Sequence, residues 1–118
     1  MQQSSFWRDT VGRLTIDFAG IASEQYVPLC LEIADVFGLQ ADGIPIVGSE
    51  QMFWEFNLGV KRVHIDWDIW LDLIVSASTT DSEELAMEIA AWIETEIEKD
   101  STDRWSTFRS SVAHHYAY

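Results

Sequence analysis

His64 and Asp66 are the first residues of this chain whose types and spacing could do chemistry. They stand two apart in an alternating stretch, so their side chains point the same way, about 7 Å apart. An imidazole beside a carboxylate can act as a general base. Glu55 and Arg62 fall on the same side of neighbouring stretches, so the four residues form one polar group. No Ser or Cys nucleophile stands beside them in a recognisable motif. The expectation is a solvated sheet face with cross-strand ion pairs, each energetically slight. The rival expectation is a small ligand-binding domain or enzyme that uses this face.

Three further sets have residue types suited to metal or nucleophilic chemistry. Asp66, Asp68 and Asp72 flank one turn, and converging carboxylates can hold a hard cation. Their D-x-D-x-x-x-D spacing lacks the glycine and later glutamate of a calcium loop. His114 and His115 are adjacent and lack a second ligand pair at zinc spacing, so they read as surface residues. Cys30, the one cysteine, sits in an apolar stretch and reads as a small core residue. No phosphate loop, C-x-x-C, H-E-x-x-H or G-x-S-x-G occurs. The sequence thus offers no metal site, no cofactor motif and no catalytic motif.

The elements that must position these residues follow from periodicity. Leu14, Ile16 and Phe18 alternate with Arg13, Thr15 and Asp17, which predicts a short strand ended by Gly20. Ser23 is placed to cap a helix to about Phe37, with Tyr26, Leu29, Cys30, Ile33, Val36 and Phe37 on one stripe. Pro28 falls in the first turn, where its missing N–H has no intrahelical partner to lose. Residues 40–51 contain Gly43, Pro45 and Gly48 and read as a loop.

From Met52 to Ser78 three alternating runs follow one another, the pattern of an antiparallel meander with one buried face. A tight turn at Leu58-Gly59 would pair Trp54 with Val63, Met52 with Ile65, Glu55 with Arg62 and Phe53 with His64. Thr80-Asp81-Ser82-Glu83 is a capping-box pattern before a second helix to about Lys99. That helix carries Leu85, Ala86, Ile89, Trp92, Ile93 and Ile97 on one side and Glu84, Glu88, Glu94 and Glu98 on the other. Trp105, Phe108, Val112 and Tyr116 have helical spacing, which suggests a short C-terminal helix. The predicted fold class is α+β, a single domain over 1–118. Its order is β-α-β-β-β-α, with two main helices packed on one face of a meander sheet. The opposite face is left open or covered by the C-terminal segment.

Composition narrows the partners. The chain has 118 residues with 20 acidic against 7 basic, a formal charge of −13. Small domains typically carry a net charge of roughly 2–8 in magnitude. Such a field repels phosphate backbones and anionic lipid, so neither direct nucleic-acid binding nor membrane binding is expected. It speeds encounter with a basic protein. With no disulfide within the chain, no signal-peptide pattern and no membrane-length apolar run, the expected location is cytoplasmic. Trp70, with Ile69 and Leu71, falls at the turn between the second and third runs. Exposed there, the three would form an apolar patch of the kind that marks interaction sites.

A small, acidic, Trp-rich, motif-free α+β chain resembles in kind the bacterial immunity proteins and antitoxin-like inhibitors. The likeness covers no aligned residues and transfers no site. It implies a non-catalytic interaction module, with Trp70, Ile69, Leu71, Glu84 and Glu88 as partner-binding residues and a basic partner. A third expectation is a homodimer paired through an open sheet face or edge strand.

Overall fold

Alternation between Met52 and Ser78 builds the centre of the sheet, as a computed structural model of the chain shows. The structure describes residues 4–99. The strands are β1 (Ser4–Arg8), β2 (Leu14–Phe18), β3 (Gln40–Ala41), β4 (Ile46–Val47), β5 (Gln51–Phe53), β6 (Glu55–Leu58), β7 (Lys61–Asp68) and β8 (Asp72–Ala77). The helices are α1 (Tyr26–Phe37) and α2 (Glu83–Glu98). Every described strand pair is antiparallel, in the order β1-β2-β8-β7-β5-β4, with β3 pairing β6 and β6 pairing β7. This is the expected α+β class, with added strands at both edges. β1 escaped the sequence reading because Ser-Ser-Phe-Trp-Arg does not alternate. The stretch read as a loop contributes two-residue strands β3 and β4.

The β6–β7 register differs from expectation by two residues. Phe56 faces Val63 and Glu55 faces His64, with Leu58 opposite Lys61. Gly59 has φ +62°, which suits the first central position of a two-residue hairpin turn rather than the second. A shift of two preserves which face each side chain takes. Trp54, Ile65, Trp67 and Val75 are therefore buried as expected. The run 52–58 is also not one strand. It is interrupted at Trp54, whose N–H donates to the Asp66 carboxylate at 3.3 Å.

Both helices cover one face of the sheet and share a single apolar core with it. Helix α1 begins after a 3-10 turn at Ser23–Gln25, and Ser23 does not cap it. Instead the buried Gln25 side chain accepts the Ala22 N–H at 2.8 Å. Gly38, in the left-handed region at φ +69°, ends the helix. The Tyr26 hydroxyl donates to the Ile65 carbonyl and ties α1 to β7. Cys30 is fully buried beside it, and burial pushes its thiol well above the ordinary range.

Helix α2 starts at Glu83, two residues later than the capping box suggested, and no side chain caps it. The hydroxyls are used elsewhere: Ser82 Oγ accepts the Arg62 N–H at 2.8 Å, and Thr79 Oγ1 bonds Asp81. Leu85, Ala86, Ile89 and Ile93 are buried, and Trp92 meets Phe37 of α1 edge to face. Glu84, Glu88, Glu94 and Glu98 are exposed. The expected C-terminal helix, and His114 with His115, lie outside the described residues.

Candidate protein interface

The turn between β7 and β8 is shaped by two aspartates. Asp68 Oδ1 accepts the N–H of Trp70 at 2.9 Å and of Leu71 at 2.7 Å, the local pattern by which aspartate makes turns. Asp72 has φ +66°, a conformation that aspartate tolerates better than most residues. Its Oδ2 accepts the Gly20 N–H at 2.6 Å. The backbone is thus pinned at both sides of the turn while its apolar side chains face water. Trp70 is 69% exposed, Ile69 is exposed and Leu71 is half-buried.

This tip does not stand alone. The Ile69 N–H donates to the Glu50 carbonyl at 3.1 Å, which joins the tip to the β4–β5 hairpin. There Ile46 pairs with Phe53 and Val47 with Met52. Ile46 is 67% exposed, and Ile44, Val47 and Phe53 are exposed as well. At this corner of the sheet the β4–β5 hairpin and the β7–β8 turn it bonds to therefore expose Ile46, Val47, Phe53, Ile69 and Trp70, with Glu50 and Asp68 beside them. An exposed apolar patch rimmed by polar groups is the mark of an interaction surface. The sequence reading found only Ile69, Trp70 and Leu71. The signal for the rest was Ile44-Pro45-Ile46-Val47, three β-branched residues inside a stretch that its turn formers had marked as a loop.

Glu84 and Glu88 do not join this corner. Ser82, just before α2, bonds Arg62 at one end of β7, and the Ile69-Trp70-Leu71 turn is at the other. Six residues of strand separate the ends, about 20 Å. The five residues expected to bind a partner together thus fall into two separate sets.

The predicted polar group is assembled on the face away from the helices. Glu55 is directly opposite His64, and its carboxylate lies 3.8 Å from both the Arg62 guanidinium and the His64 Nε2. Cross-strand pairing extends the row: His64 faces Ser76, Ser76 faces Thr15, and Thr15 faces Trp7. A second row runs Ser5, Asp17, Ile74, Asp66. Trp7 Nε1 donates to Asp17 at 2.8 Å. Asp66 is half-buried, and burial pushes its carboxyl up to about 6 against the pull of His64 and the Trp54 N–H. Thr15 is 3% exposed and Ser76 8%. Ser78 Oγ is buried with no hydrogen-bond partner among the described residues. Trp7, Thr15 and Ser76 were not singled out from the sequence, because only strand pairing brings them beside His64.

Asp66, Asp68 and Asp72 do not converge. The first meets the Trp54 N–H, and the others hold the turn. The described residues contain no group of three His, Cys, Asp or Glu side chains placed to share an ion. No helix among them is long and apolar enough to cross a membrane. No protein-family model, curated protein or solved structure matches this chain.

Proposed function

We propose that this chain is a non-catalytic interaction domain that binds a basic protein partner through the Ile69–Trp70 corner. The exposed apolar corner carries the reading. The net charge of −13 supports the sign of the partner, since long-range attraction speeds encounter while buried apolar contacts hold the complex. The sharper form is an inhibitor of the immunity or antitoxin kind, neutralising a basic enzyme. The test is a photo-crosslinking side chain at position 70 in cells of the native host, with the same probe at Glu88 as control. A single basic protein crosslinked from position 70 supports the reading. Equal, diffuse crosslinking from both positions, or none, counts against it.

A second reading is favoured by one observation. Ser76, His64 and Glu55 stand side by side on β8, β7 and β6, the residue types of a hydroxyl nucleophile, a base and its orienting acid. Among the described residues no hydrogen bond joins Ser76 to His64, so the row is a juxtaposition without an assembled relay. Hydrolysis of p-nitrophenyl acetate would test it. Loss of a catalytic rate in both Ser76→Ala and His64→Ala supports a hydrolytic row, and a rate no greater than that of free imidazole removes it.

A further inference from the structure

The two edges of the sheet are not alike. At one side β4 is two residues long and follows Pro45, which has no N–H to offer, so this edge is blunted against a further strand. At the other side β1 runs five residues with neither proline nor glycine, and among the described residues it pairs β2 alone. One pair beyond Arg8–Leu14, the Asp9 N–H donates to the Arg13 carbonyl at 3.0 Å. Antiparallel bonding alternates from there. Trp7 and Ser5 exchange bonds with β2, whereas Ser4, Phe6 and Arg8 turn their N–H and C=O groups to the free side.

The side chains along this edge are ordered as well. Ser4, Phe6 and Arg8 point to the helix side, where Ser4 donates to Glu94 and Arg8 pairs with Glu83. Helix α2 therefore lies along β1, with Glu83, Met87 and Glu94 on the stripe nearest it. Between the two polar ends, Phe6 is 54% exposed and Met87 51%. Ser5 and Trp7 are exposed on the far face, away from the helices.

We propose that the β1 edge binds the β1 edge of a second copy, antiparallel and centred on Phe6, so that one sheet continues through a two-fold dimer. Centring on Phe6 sets Ser4 of each copy opposite Arg8 of the other and gives every outward N–H and C=O of β1 a partner. Shape favours this pairing. Small Ser4 and Ser5 come opposite large Arg8 and Trp7, whereas a parallel pairing would set Arg8 on Arg8. Charge favours it too. Ser4 brings its Glu94 with it, so each Arg8 guanidinium stands between Glu83 of its own helix and Glu94 of the other copy. At the axis Phe6 meets Phe6, and this apolar contact gives the exposed ring a partner. The formal charge of −13 on each copy opposes association, which sets the expected affinity in the micromolar range. Paired residues Ser4, Phe18, Leu73, Trp67, Met52 and Val47 cross the whole sheet from this edge to β4. The dimer thus leaves the Ile69–Trp70 corner of each copy free.

Sedimentation velocity of the full chain over rising micromolar concentration tests this. The expected result is a monomer–dimer equilibrium in the wild-type chain. Arg8→Glu sets carboxylate against carboxylate at both symmetric contacts, and Glu94→Arg sets guanidinium against guanidinium. Each variant alone should raise the dimer Kd about tenfold or more. An equimolar mixture of the two should restore the dimer, because both contacts then join opposite charges. A variant that had merely failed to fold would not be rescued in this way. Trp70→Ala should dimerise as the wild type does. A wild-type chain that stays monomeric, a Kd that neither charge variant moves, or a mixture that does not recover overturns the proposal. Loss of the dimer in Trp70→Ala also overturns it, since the contact would then be at the corner.

Discussion

At the Ile69–Trp70 corner, water reaches large apolar side chains, and on the far face it is kept from small polar ones. Trp70, Ile46 and Val47 are exposed, while Thr15 and Ser76 are buried. Both regions depart from the ordinary apolar-in, polar-out pattern, and the departures point in opposite directions. Exposed apolar area lowers its free energy when a partner arrives, so the corner is poised for contact. Buried hydroxyls lose hydration and need a partner of their own, which Thr15 finds in the Arg13 carbonyl at 3.1 Å. The local chemistry agrees. Asp68 and Asp72 hold the corner's backbone from below, whereas Asp17, Glu55 and Asp66 are themselves part of the far face.

The largest effect expected from this contrast is at Trp70. Trp70→Ala should weaken partner binding by about 2–4 kcal/mol, the range for a buried interface tryptophan. Its thermal midpoint should stay within a few degrees, because the side chain contributes little to the core. Calorimetric titration of the crosslinked partner against both proteins, with parallel melting curves, decides this. A large drop in the midpoint would make Trp70 a core residue and break the contrast.

Asp66 gives the next effect, through pH. Its folded carboxyl titrates near 6, above the ordinary aspartate value, so the folded chain binds this proton more tightly than the unfolded chain. That contribution is fully present below about pH 4 and is lost as pH rises through about 6. Asp66→Asn keeps an oxygen for the Trp54 N–H and should remove the slope, worth about 1–2 kcal/mol between these limits. Urea unfolding at pH 4, 5, 6 and 7 measures it. A wild-type slope in the Asn variant would place the titration elsewhere.

A smaller change should come from Ser78. Ser78→Ala removes a sealed hydroxyl and should leave stability unchanged or raise it by up to about 1 kcal/mol. A loss of more than about 1 kcal/mol in denaturant unfolding would show that the hydroxyl has a partner. Smallest of all, Glu84, Glu88 and Glu94 changed together to Gln should slow association a fewfold at low salt and hardly at all at high salt. These side chains are exposed and away from the corner, so dissociation should not change. Stopped-flow association at two ionic strengths is the measurement, and a faster dissociation would extend the interface onto α2.

Sequence by itself determined the α+β class, the two helices and the side of the sheet taken by the residues of β2 and of the 52–78 runs. The reason is that burial enforces period 2 in a strand and 3.6 in a helix, and both are written in the order of side chains. Leu14, Ile16 and Phe18, the 52–78 runs and the stripe from Leu85 to Ile93 could be read this way. Tertiary structure decided what periodicity does not encode. It set the β6–β7 register, because a shift of two keeps every face correct and only the fit of Gly59 selects one pairing. It brought Ser76, Thr15 and Trp7 beside His64, because β2 and β8 are some sixty residues apart in the chain and meet only in the sheet. It also enlarged a three-residue tip into a corner, because the Ile69 N–H donates to the Glu50 carbonyl and ties the tip to the hairpin that carries Ile46 and Phe53, and no local pattern records that bond.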